Sequence, residues 1–409
     1  MPFVGNSKHK TTLIVGAGQA GYWVARTLRD MGFESPITLI GDEIHPPYER
    51  PPLSKEIMRG ESPVDRIYFA TKAALLAKDI EFLANTRVQS IDRSGHQVVV
   101  SGGRKIPYSQ LVLATGGRAR TIPSLLSDTL PIFYLRTIED SLAIQSALKP
   151  DRPLLVIGGG WIGLEAAAVA RLKGVPVTLV EAGAQLCGRG LTAEPAKSLA
   201  DLHRKNGVDV RLRTQVTKLT DSAALLSSGD EIPCATVLVG VGIVPNCELG
   251  TAAGLSVNDG ILVDRYGRTS DHSIYAAGDV ARYSSEIYGR HLRIESWSNA
   301  QNQGVAIAKT IMGHMEHYDP VPWFWSDQYD VNLQVSGIPT QEHSVVARGD
   351  TASFSYSLFY MRGPIIEGVV SFNQARDNRI SRKIIEAKKI VDPKALGNTE
   401  SDLQRLLRV

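Results

Sequence analysis

The apolar positions of this chain follow two alternating patterns. Short uninterrupted runs at 11–15 and Leu154–Ile157 each stop at a glycine turn. Each turn opens onto a stretch whose apolar positions recur every three or four residues, at 21–31 and 164–173. A second uninterrupted run succeeds each stretch, at Ile37–Ile40 and Val177–Val180. Runs with no polar alternation are the mark of parallel strands buried on both faces, so the order reads strand, tight turn, helix, strand, twice over. Further runs beginning at Leu111, Val237 and Ile274 end in small residues and add strands to these sheets. Residues 98–100 and 105–106 flank Gly102-Gly103 and read as a hairpin. From about Asp330 the pattern becomes strand-rich, at 331–335, 344–347, 354–360 and 366–372, and then gives a basic helix at 376–389.

The two turns carry the first chemistry. They read Gly16-Ala-Gly18-Gln-Ala-Gly21 and Gly158-Gly-Gly160-Trp-Ile-Gly163. In such a turn the first glycine makes the bend and the second lets backbone approach a pyrophosphate. The third lets helix and strand pack closely, so an anion sits on the helix N-terminus. Two copies predict two dinucleotides, a flavin and a nicotinamide. Far more than one strand–helix–strand unit separates Gly16 from Gly158, so these are two domains, the second inserted into the first. The expected fold is α/β, with two Rossmann-like dinucleotide-binding domains and a C-terminal α+β domain of interface type. The boundaries are 1–117 with 247–326, then 118–246, then 327–409.

Composition excludes several alternatives. The chain has 409 residues, 43% hydrophobic and 21% charged, with a net charge of +3, too small to point to nucleic acid. Cys187, Cys234 and Cys247 form no disulfide framework or metal-ligand spacing, so no metal is expected and a reducing compartment is. The first ten residues contain no leader-like apolar stretch, and the run from Leu154 is broken by glycines and Glu165. These readings predict a cytoplasmic protein without a membrane partner. Pro46 to Lys55 is proline-rich and reads either as a stiff surface connector or, because it holds Arg50 and Lys55, as a cofactor loop.

Taken together, the two glycine turns, Ala114-Thr115-Gly116, Ala277-Gly278-Asp279 and Glu295-Ser-Trp297 resemble the two-dinucleotide flavoprotein reductases. Pro51-Pro-Leu-Ser-Lys55 and Trp323-Phe-Trp325-Ser-Asp-Gln narrow the resemblance to ferredoxin reductases of bacterial Rieske-type oxygenases and cytochromes P450. The resemblance implies non-covalent FAD, cradled by Gly16, Gly18, Ala20 and Gly21. Arg50, Lys55, Val88, Ala114, Thr115, Gly116, Arg120, Arg136 and Gly278 would line it. Asp279, at the start of a helix, would meet the ribityl chain, and Trp297 and Trp325 the ring system, with Trp323 left to the core. It places NADH on Gly158, Gly160, Ile162, Gly163, Glu165, Glu181 and Gly242. The acidic slot of the first unit holds Gly41, which leaves the ribose contact open between Asp42 and Glu43, and Ala119 stands where the family usually has proline.

No cysteine lies between Met1 and Leu186, where the disulfide reductases of this superfamily carry their redox pair. Electrons must therefore leave the flavin directly. The resemblance implies Lys55 and Glu165 as the charged pair at the reaction site. Read without it, Glu165 is a first-turn charge on the helix dipole. The implied activity is NADH-dependent reduction of a [2Fe–2S] ferredoxin that feeds an aromatic-ring oxygenase. A cytochrome P450 system, a rubredoxin reductase, an NADH oxidase lacking a catalytic thiol, or a binding module of the apoptosis-inducing type stay open beside it. The basic helix is expected as a docking face or as a solvated one.

Overall fold

The computed structural model describes residues 11–408; the N-terminal stretch read for a leader lies outside the described residues. The chain forms two compact units. One runs up to Glu49 and includes Asp65–Arg118 and Val244–Pro320; the other comprises Arg50–Val64, Ala119–Ile243 and the chain from Val321 onward.

In the first unit the uninterrupted runs become a five-stranded parallel sheet. Its order is Ile274–Ala276, Gln110–Leu113, Thr12–Val15, Ile37–Ile40, Ile80–Leu83. All four residues of Thr12–Val15 and of Ile37–Ile40 are buried, as strands covered on both faces must be. The helices Gln19–Asp30 and Trp297–Ile311 pack on each other. Gly304 permits this, because a Cβ there would lie 2.6 Å from the Ala20 carbonyl oxygen. The glycine hairpin forms between Gln97–Val100 and Lys105–Pro107, with Val88–Asp92 as a third strand.

The second unit repeats the design with the order Val208–Arg211, Val177–Val180, Leu154–Ile157, Thr236–Val239, Ile132–Phe133, again all parallel. The C-terminal strands form a separate antiparallel sheet in the order Trp323–Gln328, Val331–Gly337, Ile365–Phe372, Ser355–Arg362, Ser344–Asp350. Val331, Leu333, Tyr356, Leu358 and Phe372 share one core with Leu164, Ala167, Leu199 and Leu202. The segments expected as a third domain therefore cluster with the second nucleotide fold.

Local differences have local causes. Both nucleotide helices begin earlier than their periodicity showed, at Gln19 and Trp161, because Gly18 and Gly160 are themselves the N-caps. Glu165 is consequently beyond the first turn, and the helix-dipole reading of it fails. The proline-rich segment is not a surface connector. Pro51–Ser54 forms a 3-10 turn with proline at its start, where a missing N–H costs nothing, and Pro52, Leu53 and Ser54 are buried. Asp279 does not start a helix but sits in the three-residue 3-10 turn Gly278–Val280. The basic helix is Ala375–Glu386. Lys388 turns left-handed (φ 47°), and the Lys388 and Lys389 amides donate to the Ile385 and Ile384 carbonyls, closing the helix end.

The tightest helix–strand approach in the second unit is at Gly163, where a Cβ would lie 2.3 Å from the Gly158 carbonyl oxygen. Gly163→Ala is expected to lower stability by about 1–3 kcal/mol, as overpacking does. The shift in urea midpoint measures it. The exposed Gly174→Ala, at positive φ but with open space around it, shows the effect of backbone strain without this contact.

Candidate functional site

Each glycine turn is shaped for an anion. At Gly16 (φ 109°) a Cβ would lie 2.1 Å from the Ala114 carbonyl oxygen, and at Gly21 1.9 Å from that of Gly16, so backbone packs against backbone. At Gly18 nothing lies within 4 Å of a Cβ. The second turn repeats this, with 2.6 Å at Gly158, 2.3 Å at Gly163 and only one neighbour, at 3.6 Å, for Gly160. Neither nucleotide helix has a side-chain cap or a first-turn acid. A bare, uncapped helix N-terminus facing open space fits a pyrophosphate in both units.

In the first unit Gly278 (φ 78°) would place a Cβ 3.1 Å from Ala20, and its amide donates to Gln303 Oε1 at 2.8 Å. Thr115 is clamped by Asn246, whose Nδ2 donates to its carbonyl, while Thr115 Oγ1 donates to the Asn246 carbonyl. Gly16, Ala20, Ala114, Thr115 and Gly278 thus gather at one end of the parallel sheet, with Gly18 and Gly21 on the same turn. Asp279 and Trp297 are half-buried and Val88 is buried. Arg293 Nη1 donates to the Asp279 carbonyl. Asp42 is exposed, whereas Glu43 accepts from Tyr48 Oη at 2.5 Å.

In the second unit Glu181 closes its strand and receives the amides of Gly159 at 2.7 Å and Gly183 at 2.6 Å. Ile162 is exposed beside this turn. At Gly242 (φ 101°) a Cβ would meet the Arg189 guanidinium, which the fold therefore brings to this turn. The Arg120 amide donates to the Gly242 carbonyl. Arg50 Nη1 donates to the Arg136 carbonyl at 2.5 Å.

The second unit also builds a charged centre. Lys55 Nζ lies 3.0 Å from Glu165 Oε2, with side chains only 13% and 6% exposed. Ser54 Oγ donates to the same oxygen and Ser326 Oγ, at 2.6 Å, to Oε1. Lys55, Glu165, Arg59, Asp327 and Tyr329 line a cavity of about 300 Å³. Trp325 adjoins this centre on the strand Trp323–Gln328 and donates to Asp327. Trp323, expected in the core, is half-exposed. It stands two residues from Trp325 on the same strand face and stacks on it, with centroids 5.3 Å apart and Arg382 over its ring. On the helix Ala375–Glu386 the cations are Arg376, Arg379, Arg382 and Lys383. Arg376 pairs with Asp402, so the helix is not a continuous basic face.

Sequence reasoning did not single out Ser54, Ser326, Gln328, His203 or Tyr329. Ser326 and Gln328 had a signal: they alternate along a strand with exposed Asp327. His203 had one too, on the apolar face of Ala193–Lys205 with Leu199 and Leu202. Burial holds its imidazole down to about 4, with the Gln328 hydrogen bond opposing. The cysteine thiols are all raised by burial, and Cys187 and Cys234 are buried.

Residues 10–304 match the pyridine nucleotide-disulphide oxidoreductase family and residues 323–407 the reductase C-terminal family. The chain belongs to this family. It is 39% identical over 406 residues to putidaredoxin reductase of Pseudomonas putida, covering 97% of this chain and 96% of that protein. It is 37% identical to the ferredoxin–NAD(+) reductase component of the p-cumate 2,3-dioxygenase system of Pseudomonas putida, with 94% and 96% covered. The crystal structure of the covalent putidaredoxin reductase–putidaredoxin complex matches with TM-score 0.95 at 38% identity, over 98% of this chain and 99% of that one. The ferredoxin reductase for the CYP199A2 system from Rhodopseudomonas palustris matches with TM-score 0.93 at 37% identity, over 97% and 99%. This reductase is an FAD- and NADH-dependent oxidoreductase of mixed α/β fold, and the two glycine cradles fit both groups. Among the described residues no His, Cys, Asp and Glu cluster could hold a metal, and no helix is long and apolar enough to cross a membrane.

His203 is neutral when folded down to about pH 4 but takes up a proton near pH 6.5 when unfolded. The unfolded chain therefore binds more protons between those values, and stability present above pH 6.5 falls by about 3 kcal/mol by pH 4. Urea midpoints across that range should show this slope in the native protein and a flatter one in His203→Gln. Removing one member of the Lys55–Glu165 pair strands a buried charge, at about 3–5 kcal/mol. Lys55→Ala with Glu165→Ala should be markedly less than additive in stability and in stopped-flow flavin reduction. Additive effects would mean that the two charges are uncoupled.

Proposed function

We propose that this enzyme is the NADH-dependent ferredoxin reductase of an oxygenase system, either a Rieske-type aromatic dioxygenase or a cytochrome P450. It acts in the cytoplasm and needs neither membrane nor nucleic acid. One observation carries the reading: two pyrophosphate cradles stand in a chain whose first 186 residues hold no thiol, so electrons have no dithiol to visit between nicotinamide and acceptor. A bound FAD supplies the conversion of a two-electron hydride into single electrons, which a [2Fe–2S] cluster requires.

The chain's own residues position and tune. The uncapped helix N-termini that follow Gly18 and Gly160 bind the pyrophosphates. Glu181 takes hydrogen bonds from the adenosine ribose and repels a 2′-phosphate, with its oxygens preset by the Gly159 and Gly183 amides. Lys55 and Glu165 hold opposite charges in a poorly hydrated site, where they orient groups without giving or taking a proton. Asp42, exposed at the end of the second strand, is better placed than Glu43 for the FAD ribose, because Tyr48 occupies the latter.

Reconstituted with FAD, the enzyme should reduce cytochrome c only when a [2Fe–2S] ferredoxin is added. NADH should give a higher kcat/KM than NADPH, and Glu181→Ala should narrow that gap. A preparation that reduces ferricyanide with NADH but no [2Fe–2S] ferredoxin from a panel would sink the acceptor assignment. Equal use of NADPH would sink the role of Glu181 and point to Arg189 as a phosphate partner.

A further inference from the structure

Glu165 is the end of a longer chain of hydrogen bonds. Ser326 Oγ lies 2.6 Å from Glu165 Oε1, Gln328 Nε2 3.0 Å from Ser326 Oγ, His203 Nε2 2.8 Å from Gln328 Oε1, and Tyr329 Oη 3.2 Å from His203 Nδ1. Ser326, Gln328 and His203 are each no more than 2% exposed. The carboxylate sets the direction of every link. It only accepts, so Ser326 must spend its single O–H on it and can then only accept from Gln328. The amide nitrogen of Gln328 therefore faces Ser326 and its oxygen faces His203, which must carry its proton on Nε2. That leaves Nδ1 bare to accept the Tyr329 hydroxyl. Four donors point one way, toward one buried negative charge. Turning any of them round sets two acceptors or two donors face to face among buried groups.

The amide of Gln328 has no proton to pass along, so the chain is a row of dipoles and not a path for protons. Its action is electrostatic and geometric. It holds Oε1 in place and leaves Oε2 to Lys55 and Ser54. We propose that Tyr329, His203, Gln328 and Ser326 are positioning residues: a one-directional hydrogen-bond chain that aims the Glu165 carboxylate, and through it Lys55, for the hydride step. This rests on the reading of Lys55 and Glu165 as the charged pair at the reaction site.

Two substitutions of His203 separate the chain from simple packing. His203→Gln keeps a donor at the Nε2 position, whereas His203→Asn reaches only the Nδ1 position and breaks the link to Gln328. Ser326→Ala removes one oxygen from the same chain and serves if neither histidine variant folds. One readout is acetylation of Lys55, measured by peptide mass spectrometry in the FAD-loaded protein with exposed Lys105 and Lys394 as references. The other is stopped-flow flavin reduction by NADH. His203→Asn and Ser326→Ala should raise Lys55 labelling severalfold. Ser326→Ala, which removes a hydrogen bond to the carboxylate, should slow flavin reduction at saturating NADH by at least about tenfold, and His203→Asn, which breaks one between neutral groups, severalfold, both leaving the NADH Kd unchanged. His203→Gln should restore both readouts most of the way. If folded His203→Asn and Ser326→Ala leave Lys55 labelling at the native level, the chain positions nothing and the proposal is overturned. If labelling rises while the reduction rate holds, and Lys55→Ala also leaves that rate alone, the pair is not at the reaction site and the function assigned to it falls as well.

Discussion

A carboxylate as deeply buried as Glu165 needs a cation and hydrogen bonds to every lone pair it turns inward, and in this protein that demand is met from three distant stretches of sequence. Lys55 and Ser54 come from the proline-started turn, Ser326 from the first strand of the C-terminal sheet, and Glu165 from the second nucleotide helix. Any rearrangement that separated these stretches would leave a bare charge in a low-dielectric site. The pair is thus a poor source of net stability but a strong selector of one arrangement over others. It explains why Pro51–Ser54 is buried and why the C-terminal strands share a core with the nucleotide fold.

The same bare backbone geometry occurs twice, once in each unit. At both turns the outer glycines are forced by backbone oxygens lying where a Cβ would be, while the middle glycine faces open space. The outer two are required by the protein's own packing and the middle one by what binds. Gly18 and Gly160 also cap their helices, so the element that bends the chain is the element that presents free amides to an anion.

Much of this was legible in the sequence, for identifiable reasons. Uninterrupted runs such as Ile14-Val15 and Val156-Ile157 have a single stable use, as strands covered on both faces, and the glycine spacing leaves a tight turn into a helix as the natural continuation. The place of Glu181 was readable because the run Val177–Val180 ends just before it. The parts that stayed hidden depend on tertiary contacts. Glu165 read as a helix-end charge because its periodicity concealed where the helix starts. Trp323 read as core because tryptophan usually is, yet strand alternation puts it on the half-exposed face with Trp325. The basic run looked longer than its helix because a lysine, not a glycine, takes the left-handed turn that ends it. His203 and Gln328 were invisible as partners, since nothing local links positions so far apart.

The cysteines bear on a hazard that every reduced flavin carries. Electrons that miss their acceptor reach oxygen, and the product is peroxide released within the protein's own surroundings. Peroxide attacks thiolates rather than thiols. Cys187 and Cys234 are buried, and burial raises the affinity of all three sulfurs for their protons. A reductase built this way offers the leak few thiolates, which leaves methionine sulfur, such as that of the exposed Met315, as the readier target.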